Sequence, residues 1–500
     1  MMEIVGNLGL GFSIAFSLKN LLYCFLGALF GTLIGVLPGV GPLATIALLL
    51  PITFHLEPTG ALIMLAGIFY GAQYGGSTTA ILVNLPGEAT SVVTAMDGYQ
   101  MARQGRAGSA LAVAALASFF AGCVSTLVIA CLAPPLSKLA LAFGPAEFTA
   151  LFVLGLIAAV VLASGSFIAS IGMVMVGILL GLVGTDVSTG EQRMTLGYRP
   201  LFDGIEFIVV AMGVFGIAEI IDNLERRETR QLPDGKISRL WPTGEEARVA
   251  WPAAVRGTVL GSVLGVLPGG GALVASFASY GLEKRIAKDP SRFGKGAIEG
   301  VAGPEAANNA GAQASFIPMF ALGIPPNAVM ALMIAAMTIH GITPGPKFLS
   351  DKPTLFWAMV ASMWIGNLML VVLNLPLVGL WVRLLRIPYA YLFPIILTFC
   401  CIGVYSVNYR LFDVVLMGGF GMVGLILKRI GCEPAPMVLA FVLGPMLEEQ
   451  FRRTLLLSDG DFSVFATRPL AAALLATAAL LVVLMSFSAL RKARVKAFQE

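Results

Sequence analysis

Two stretches of this chain, 230 residues apart, carry the same interrupted apolar pattern. Residues 27–41 read Gly-Ala-Leu-Phe-Gly-Thr-Leu-Ile-Gly-Val-Leu-Pro-Gly-Val-Gly, and residues 257–271 read Gly-Thr-Val-Leu-Gly-Ser-Val-Leu-Gly-Val-Leu-Pro-Gly-Gly-Gly. Gly27, Gly31, Gly35, Val36, Leu37, Pro38, Gly39 and Gly41 match Gly257, Gly261, Gly265, Val266, Leu267, Pro268, Gly269 and Gly271. Proline removes a backbone donor and glycine relaxes the chain, so a helix opens at each motif. In hydrocarbon an unsatisfied backbone group costs several kcal/mol, so opened backbone survives only inside protein or against a wet cavity. Broken helices at matching places of two halves are the sequence mark of a secondary-transporter site.

The rest of the chain puts these breaks in a membrane. With 57% hydrophobic and 12% charged residues, it departs from soluble proteins, in which about 25% of residues are charged. Apolar runs recur at 21–37, 109–132, 148–163, 167–183, 205–221, 355–375, 390–407, 414–427 and 470–487. These predict an all-α polytopic integral membrane protein with about 10–12 membrane elements, broken or re-entrant hairpins included. The first run carries the motif, which argues against a cleaved signal peptide.

Residues 223–256 form a polar stretch between apolar blocks, with seven basic groups (Arg226, Arg227, Arg230, Lys236, Arg239, Arg248, Arg256) against five acidic ones. The tail carries Arg491, Lys492, Arg494 and Lys496. The positive-inside bias places both on the cytoplasmic side. The division expected is membrane repeat 1 over 1–222, a basic linker over 223–256, membrane repeat 2 over 257–468, and a last transmembrane helix with its basic tail over 469–500. Residues 1–19 hold only Lys19 and Glu3 as charges, so the two motifs enter from differently charged sides, as inverted repeats would. Only 26 residues separate Arg256 from Glu283, short of the about 40 that two crossings need. A re-entrant hairpin fits that window; a full span followed by a half-helix fits if the first arm begins earlier.

A second break follows each first one. Gly71-Ala72-Gln73 precedes Pro86, and Gly311-Ala312-Gln313 precedes Pro325. Half-helix N-termini present N–H groups to anions, and C-terminal carbonyls opposite can hold a cation. The leading glycines also fit small-residue helix packing, so site-forming roles are assigned to the ends of the motifs: Pro38, Gly39, Gly41, Pro268, Gly269 and Gly270. Around the second breaks the candidates for solute binding are Ser77, Thr78, Thr79, Asn84, Pro86, Gly87, Thr90, Ser91, Asn308, Asn309, Pro325 and Asn327. Hydroxyl and amide oxygens suit Na⁺, with Ser77, Thr78, Asn84 and Asn309 as its candidate neighbours. Glu88, Asp97 and Glu305 flank the breaks, where they either bind an ion or cap helices.

Other chemistry finds little support. The sequence has no P-loop motif for ATP. Two histidines, His55 and His340, make no metal-protease pattern, and six cysteines show no ligand spacing. An enzyme is not expected, nor a cofactor beyond a coupling Na⁺ or H⁺.

Gly-Val-Leu-Pro-Gly-Val-Gly-Pro at 35–42, Tyr-Gly-Gly-Ser at 74–77, Leu-Pro-Gly-Glu-Ala at 85–89 and Asp-Gly-Tyr-Gln-Met-Ala-Arg-Gln-Gly at 97–105 resemble the TctA family, the large membrane subunit of tripartite tricarboxylate transporters. Ser-Tyr-Gly-Leu-Glu-Lys at 279–284, Pro-Glu-Ala-Ala-Asn-Asn at 304–309 and Gly-Ile-Thr-Pro-Gly-Pro at 341–346 extend the resemblance into the second half. One departure is Ile324-Pro325-Pro326-Asn327, where Ile-Pro-Gly-Ser is expected; the stiffer tip counts against a ligand role for backbone at position 326. The resemblance implies a bacterial inner-membrane permease driven by an ion gradient and taking up tricarboxylates or related solutes. Its implied partners are a small TctB-like membrane subunit and a periplasmic TctC-like binding protein. A passive anion or ion channel is the alternative, with the breaks as its filter.

Overall fold

The computed structural model describes residues 2–37, 41–84, 87–163, 166–186, 188–225, 240–267, 271–385 and 389–486. Pro38, Gly39, Pro86, Pro268, Gly269, Gly270, residues 226–239 of the basic stretch and the tail from 487 lie outside them. The described chain is helical apart from small turns and one two-stranded antiparallel ribbon, Gly184–Thr185 with Gln192–Arg193. Among the described residues four helices are long and apolar enough to cross a membrane: Leu18–Gly35, Ala107–Ala140, Pro353–Asn374 and Leu411–Arg429. Seven shorter apolar helices accompany them.

The first half of the site begins with helices α1 (Leu18–Gly35), α2 (Pro42–Thr53) and α3 (Pro58–Val83). The Ser17 hydroxyl accepts from the Asn20 N–H to start α1, and a proline at the first helical position starts α2 and α3, where no N–H is needed. Helix α3 stops at Asn84, which sits in the left-handed region at φ 56°, a conformation asparagine tolerates. Helices α4 (Val92–Arg103) and α5 (Ala107–Ala140) follow.

The second half runs through α6 (Gly244–Leu264), α7 (Gly271–Ile286), α8 (Glu299–Ala314), α9 (Phe316–Leu322), α10 (Ala328–Ile339) and α11 (Pro353–Asn374). A reciprocal cap fixes the start of α6. Thr243 Oγ1 accepts from the Glu246 N–H at 3.1 Å, and Glu246 Oε2 accepts from the Thr243 N–H at 2.8 Å. Helix α6 therefore begins at Gly244 and takes in residues 244–256 of the stretch read as linker. Its 21 residues rise about 31 Å, so this first arm is longer than α7, which has 16. Arg256 ties the two arms together, donating to both oxygens of buried Glu283 at 2.8 and 2.6 Å.

The glycine triplets set the packing register. A methyl at Gly27, Gly31 or Gly35 would overlap the main-chain oxygen of Met64, Ile68 or Ala72 on α3. One at Gly257, Gly261 or Gly265 would overlap that of Gly303, Ala307 or Gly311 on α8. Both pairs, α1 with α3 and α6 with α8, therefore run parallel in contact of backbone on backbone, as small-residue ridges permit. The α3 partners and the α8 partners stand 239 residues apart, as do Asn84 and Gly323, the left-handed residues that end α3 and α9. The match of Gly71-Ala72-Gln73 with Gly311-Ala312-Gln313 is thus one residue out of the packing register. Helices α3 and α8–α9 cross antiparallel: Ser77 meets Glu305, whereas Phe69 and Tyr70 meet Phe316 with ring centroids 6.2 and 6.1 Å apart. One side of the crossing is polar and the other aromatic.

Candidate functional site

Helix α8 is buried along its whole length, and its alanines and glycines let three helices of the first half close around one carboxylate. Glu305 is 1% exposed. Ser77 Oγ, from α3, lies 2.9 Å from both of its oxygens. Thr94 Oγ1, from α4, donates to Oε1 at 2.5 Å, and Ser118 Oγ, from α5, donates to Oε2 at 3.3 Å. Asn309 Nδ2 donates to Ser118 Oγ at 2.7 Å and to the Glu305 carbonyl at 3.0 Å. Among the described residues, every side-chain donor to this carboxylate is a neutral hydroxyl. An ionisable side chain at this depth is expensive and marks an ion or substrate path by default. Beside it lies a cavity of about 20 Å³, whose polar lining is Tyr74, Ser77, Thr78, Ser118, Glu305 and Asn374.

Two further carboxylates join the halves. Glu88, just past the second break of the first half, accepts from Asn308 Nδ2 at 2.9 Å. Ser91 closes the turn between them in sequence, its hydroxyl donating to the Glu88 carbonyl at 2.9 Å, and Thr90 occupies the single turn Ala89–Ser91. Asp97 accepts from the Gly296 and Ala297 N–H groups at 2.7 and 2.8 Å and from the Tyr280 hydroxyl at 2.9 Å. Of the two roles left open for Asp97, the geometry is that of a cap just ahead of α8.

In the first half, the two breaks meet through glycines. A methyl at Gly87 would come within 2.5 Å of Gly76 Cα and 3.1 Å of the Gly35 carbonyl, and one at Gly41 within 3.4 Å of the Gly87 carbonyl. The remaining candidates serve local structure. Thr78 donates to the Tyr74 carbonyl at 3.1 Å while lining the cavity, and Thr79 donates to the Gly76 carbonyl at 2.8 Å. Asn84 is exposed at the end of α3. Asn327 accepts from the Met330 N–H at 2.9 Å and so caps α10. Ile324, next to Pro325, packs among Phe152, Leu156 and Leu443 of the flanking helices. Ser118 and Asn374 were missed in the sequence, where each hides in a long apolar run; the polar exception within that run was the signal.

The description of the tripartite tricarboxylate transporter TctA family matches residues 21–439. A 52.8 kDa protein of Agrobacterium vitis, described as uncharacterized and from the TAR-I ttuC' 3' region, is 57% identical over 500 residues, covering all of both chains. A second Agrobacterium vitis protein, from the TAR-II ttuC' 3' region, is 56% identical over 240 residues, which is 48% of this chain and 99% of that one. No solved structure matches the chain.

Proposed function

The chain belongs to the tripartite tricarboxylate transporter TctA family, and on that premise we propose that it is the permease subunit of a binding-protein-dependent, ion-gradient-driven uptake system for tricarboxylates or related solutes. It is embedded in the membrane; we place it in the bacterial inner membrane, crossing many times, beside a small TctB-like subunit and a periplasmic TctC-like binding protein. The observation that carries the reading is the Glu305 carboxylate of one half, enclosed by Ser77, Thr94 and Ser118 of the other. Such a contact changes whenever the halves move against each other, as alternating access requires. The opposed directions of the α1–α3 and α6–α8 pairs support two inverted repeats. The carboxylated solute then lies near the broken ends, at Pro38, Gly39, Gly41, Pro86, Gly87, Pro268, Gly269, Gly270, Pro325 and Asn327, with Asn308 beside them.

The test is uptake of labelled di- and tricarboxylates into vesicles holding the chain and its two partners. Accumulation above the outside concentration, abolished by collapsing the ion gradient, supports the reading. Plain equilibration supports the passive channel instead. Single cysteines at Gly39 and Gly269 should react with aqueous reagents, and at a different rate with solute present.

A further inference from the structure

The cavity beside Glu305 is walled by hydroxyl oxygens whose hydrogens are taken up by backbone carbonyls or by Glu305 itself. Ser77 Oγ lies 3.1 Å from the Gln73 carbonyl, Thr78 Oγ1 donates to the Tyr74 carbonyl at 3.1 Å, and the Tyr74 hydroxyl donates to the Ala115 carbonyl at 3.5 Å. Ser118 Oγ receives a hydrogen from Asn309 and passes its own to Glu305. Asn374 closes the far wall from the last turn of α11. Its Nδ2 donates to the Leu370 carbonyl at 2.9 Å, and its Oδ1 has no hydrogen-bond partner among the described residues although Asn374 is only 7% exposed.

We infer that this cavity is the seat of one dehydrated Na⁺, held by the Glu305 carboxylate with Ser77 Oγ, Thr78 Oγ1, Ser118 Oγ and Asn374 Oδ1. The inference rests on the reading of ion-coupled uptake and adds the identity, number and ligands of the ion. Hard cations take oxygen ligands. A wall of one carboxylate, hydroxyls and apolar side chains repels a carboxylate solute. A volume of about 20 Å³ has room for a water-sized occupant, the size class of a dehydrated Na⁺. One carboxylate balances one positive charge, whereas a divalent ion would leave a net charge in a low-dielectric interior. Glu305 comes from α8, Ser77, Thr78 and Ser118 from α3 and α5, and Asn374 from α11, so the seat is complete only when the halves are apposed. Na⁺ therefore favours that arrangement by its differential affinity for it.

The experiment is ²²Na⁺ binding to the purified full chain in lipid nanodiscs, without partners or carboxylate. Saturable binding of one Na⁺ per chain, undisturbed by a large excess of K⁺, is expected. Asn374→Leu and Thr78→Val should each weaken it at least about ten-fold while helicity and elution profile stay unchanged, and Glu305→Gln should abolish it. The two wall variants keep the test decisive if Glu305→Gln does not fold. Absence of saturable Na⁺ binding, or binding indifferent to both wall variants, overturns the seat. If no Na⁺ binds yet uptake still collapses with a proton uncoupler, the seat fails and ion-coupled uptake stands. If solute never accumulates under any gradient, the underlying reading fails as well.

Discussion

Replacing Ser77 by alanine tests the contact on which this account turns. Ser77 Oγ is the one donor placed 2.9 Å from both oxygens of Glu305. A hydrogen bond to a charged group contributes about 1.5–3 kcal/mol, against about 0.5–1.5 kcal/mol between neutral groups. Thr94 and Ser118 remain on the carboxylate, so its charge is not orphaned and the loss belongs at the lower end, about 1.5 kcal/mol. The Gln73 carbonyl, the other neighbour of the hydroxyl, loses no backbone partner. In the Glu305→Gln background the hydroxyl faces a neutral amide, and the same change should cost about 0.5 kcal/mol. The assay is reversible unfolding of the four purified forms in mixed micelles, followed by the fluorescence of the five tryptophans. A coupling of about 1 kcal/mol is expected from the cycle. Additivity within about 0.3–0.5 kcal/mol, the ordinary scatter for independent sites, would refute the crossing of α3 and α8 drawn here.

Gly31→Ala and Gly261→Ala each push a methyl onto a main-chain oxygen that cannot swing away, and thermal unfolding should show a loss of about 1–3 kcal/mol for each. Gly281→Ala, in α7 and with open space around it, should be neutral or mildly stabilising. Asp97→Asn weakens bonds from two backbone N–H groups and the Tyr280 hydroxyl, so it should cost about 1–3 kcal/mol, and Tyr280→Phe less, in the same unfolding assay. In the loop beside the ribbon, the Ser188 N–H chiefly, with Arg193 and Arg452, holds the Asp186 carboxyl well below the usual carboxylate range. A lowered folded-state value stabilises above the unfolded pKa, about 3.9, and that contribution disappears as the pH falls through the folded value. The difference in melting temperature between wild type and Asp186→Asn should therefore be constant near neutrality and close below about pH 4; a gap that widens on acidification would contradict the sign.

Much of the frame was written locally. Pro38-Gly39 and Pro268-Gly269 mark where α1 and α6 have already ended, at Gly35 and Leu264, because proline and glycine act on their own turn of helix. The glycine triplets announced close packing because their four-residue spacing lines one face. The capping pair Thr243 and Glu246 at the start of α6 went unread, because a charge count assigned those residues to a linker. Long-range partners were not legible. Ser77 and Glu305 are 228 residues apart, and no periodicity tells two antiparallel helices where to cross. Asn374 looked like a stray polar residue in an apolar run until α11 placed it on the cavity wall. The slip of one residue between the Gly-Ala-Gln triplets and the packing register has the same origin. Sequence similarity follows residue types, whereas register follows which glycine admits which carbonyl.

The most direct test of the central claim is solute accumulation with and without the carboxylate that joins the halves. Vesicles containing the chain with its two partners, an imposed ion gradient and a labelled tricarboxylate should concentrate the solute inside. They should lose that concentrating power when the gradient is collapsed or when Glu305 is replaced by glutamine. Uphill accumulation that persists in the folded Glu305→Gln variant would contradict a coupling site at the crossing of α3 and α8.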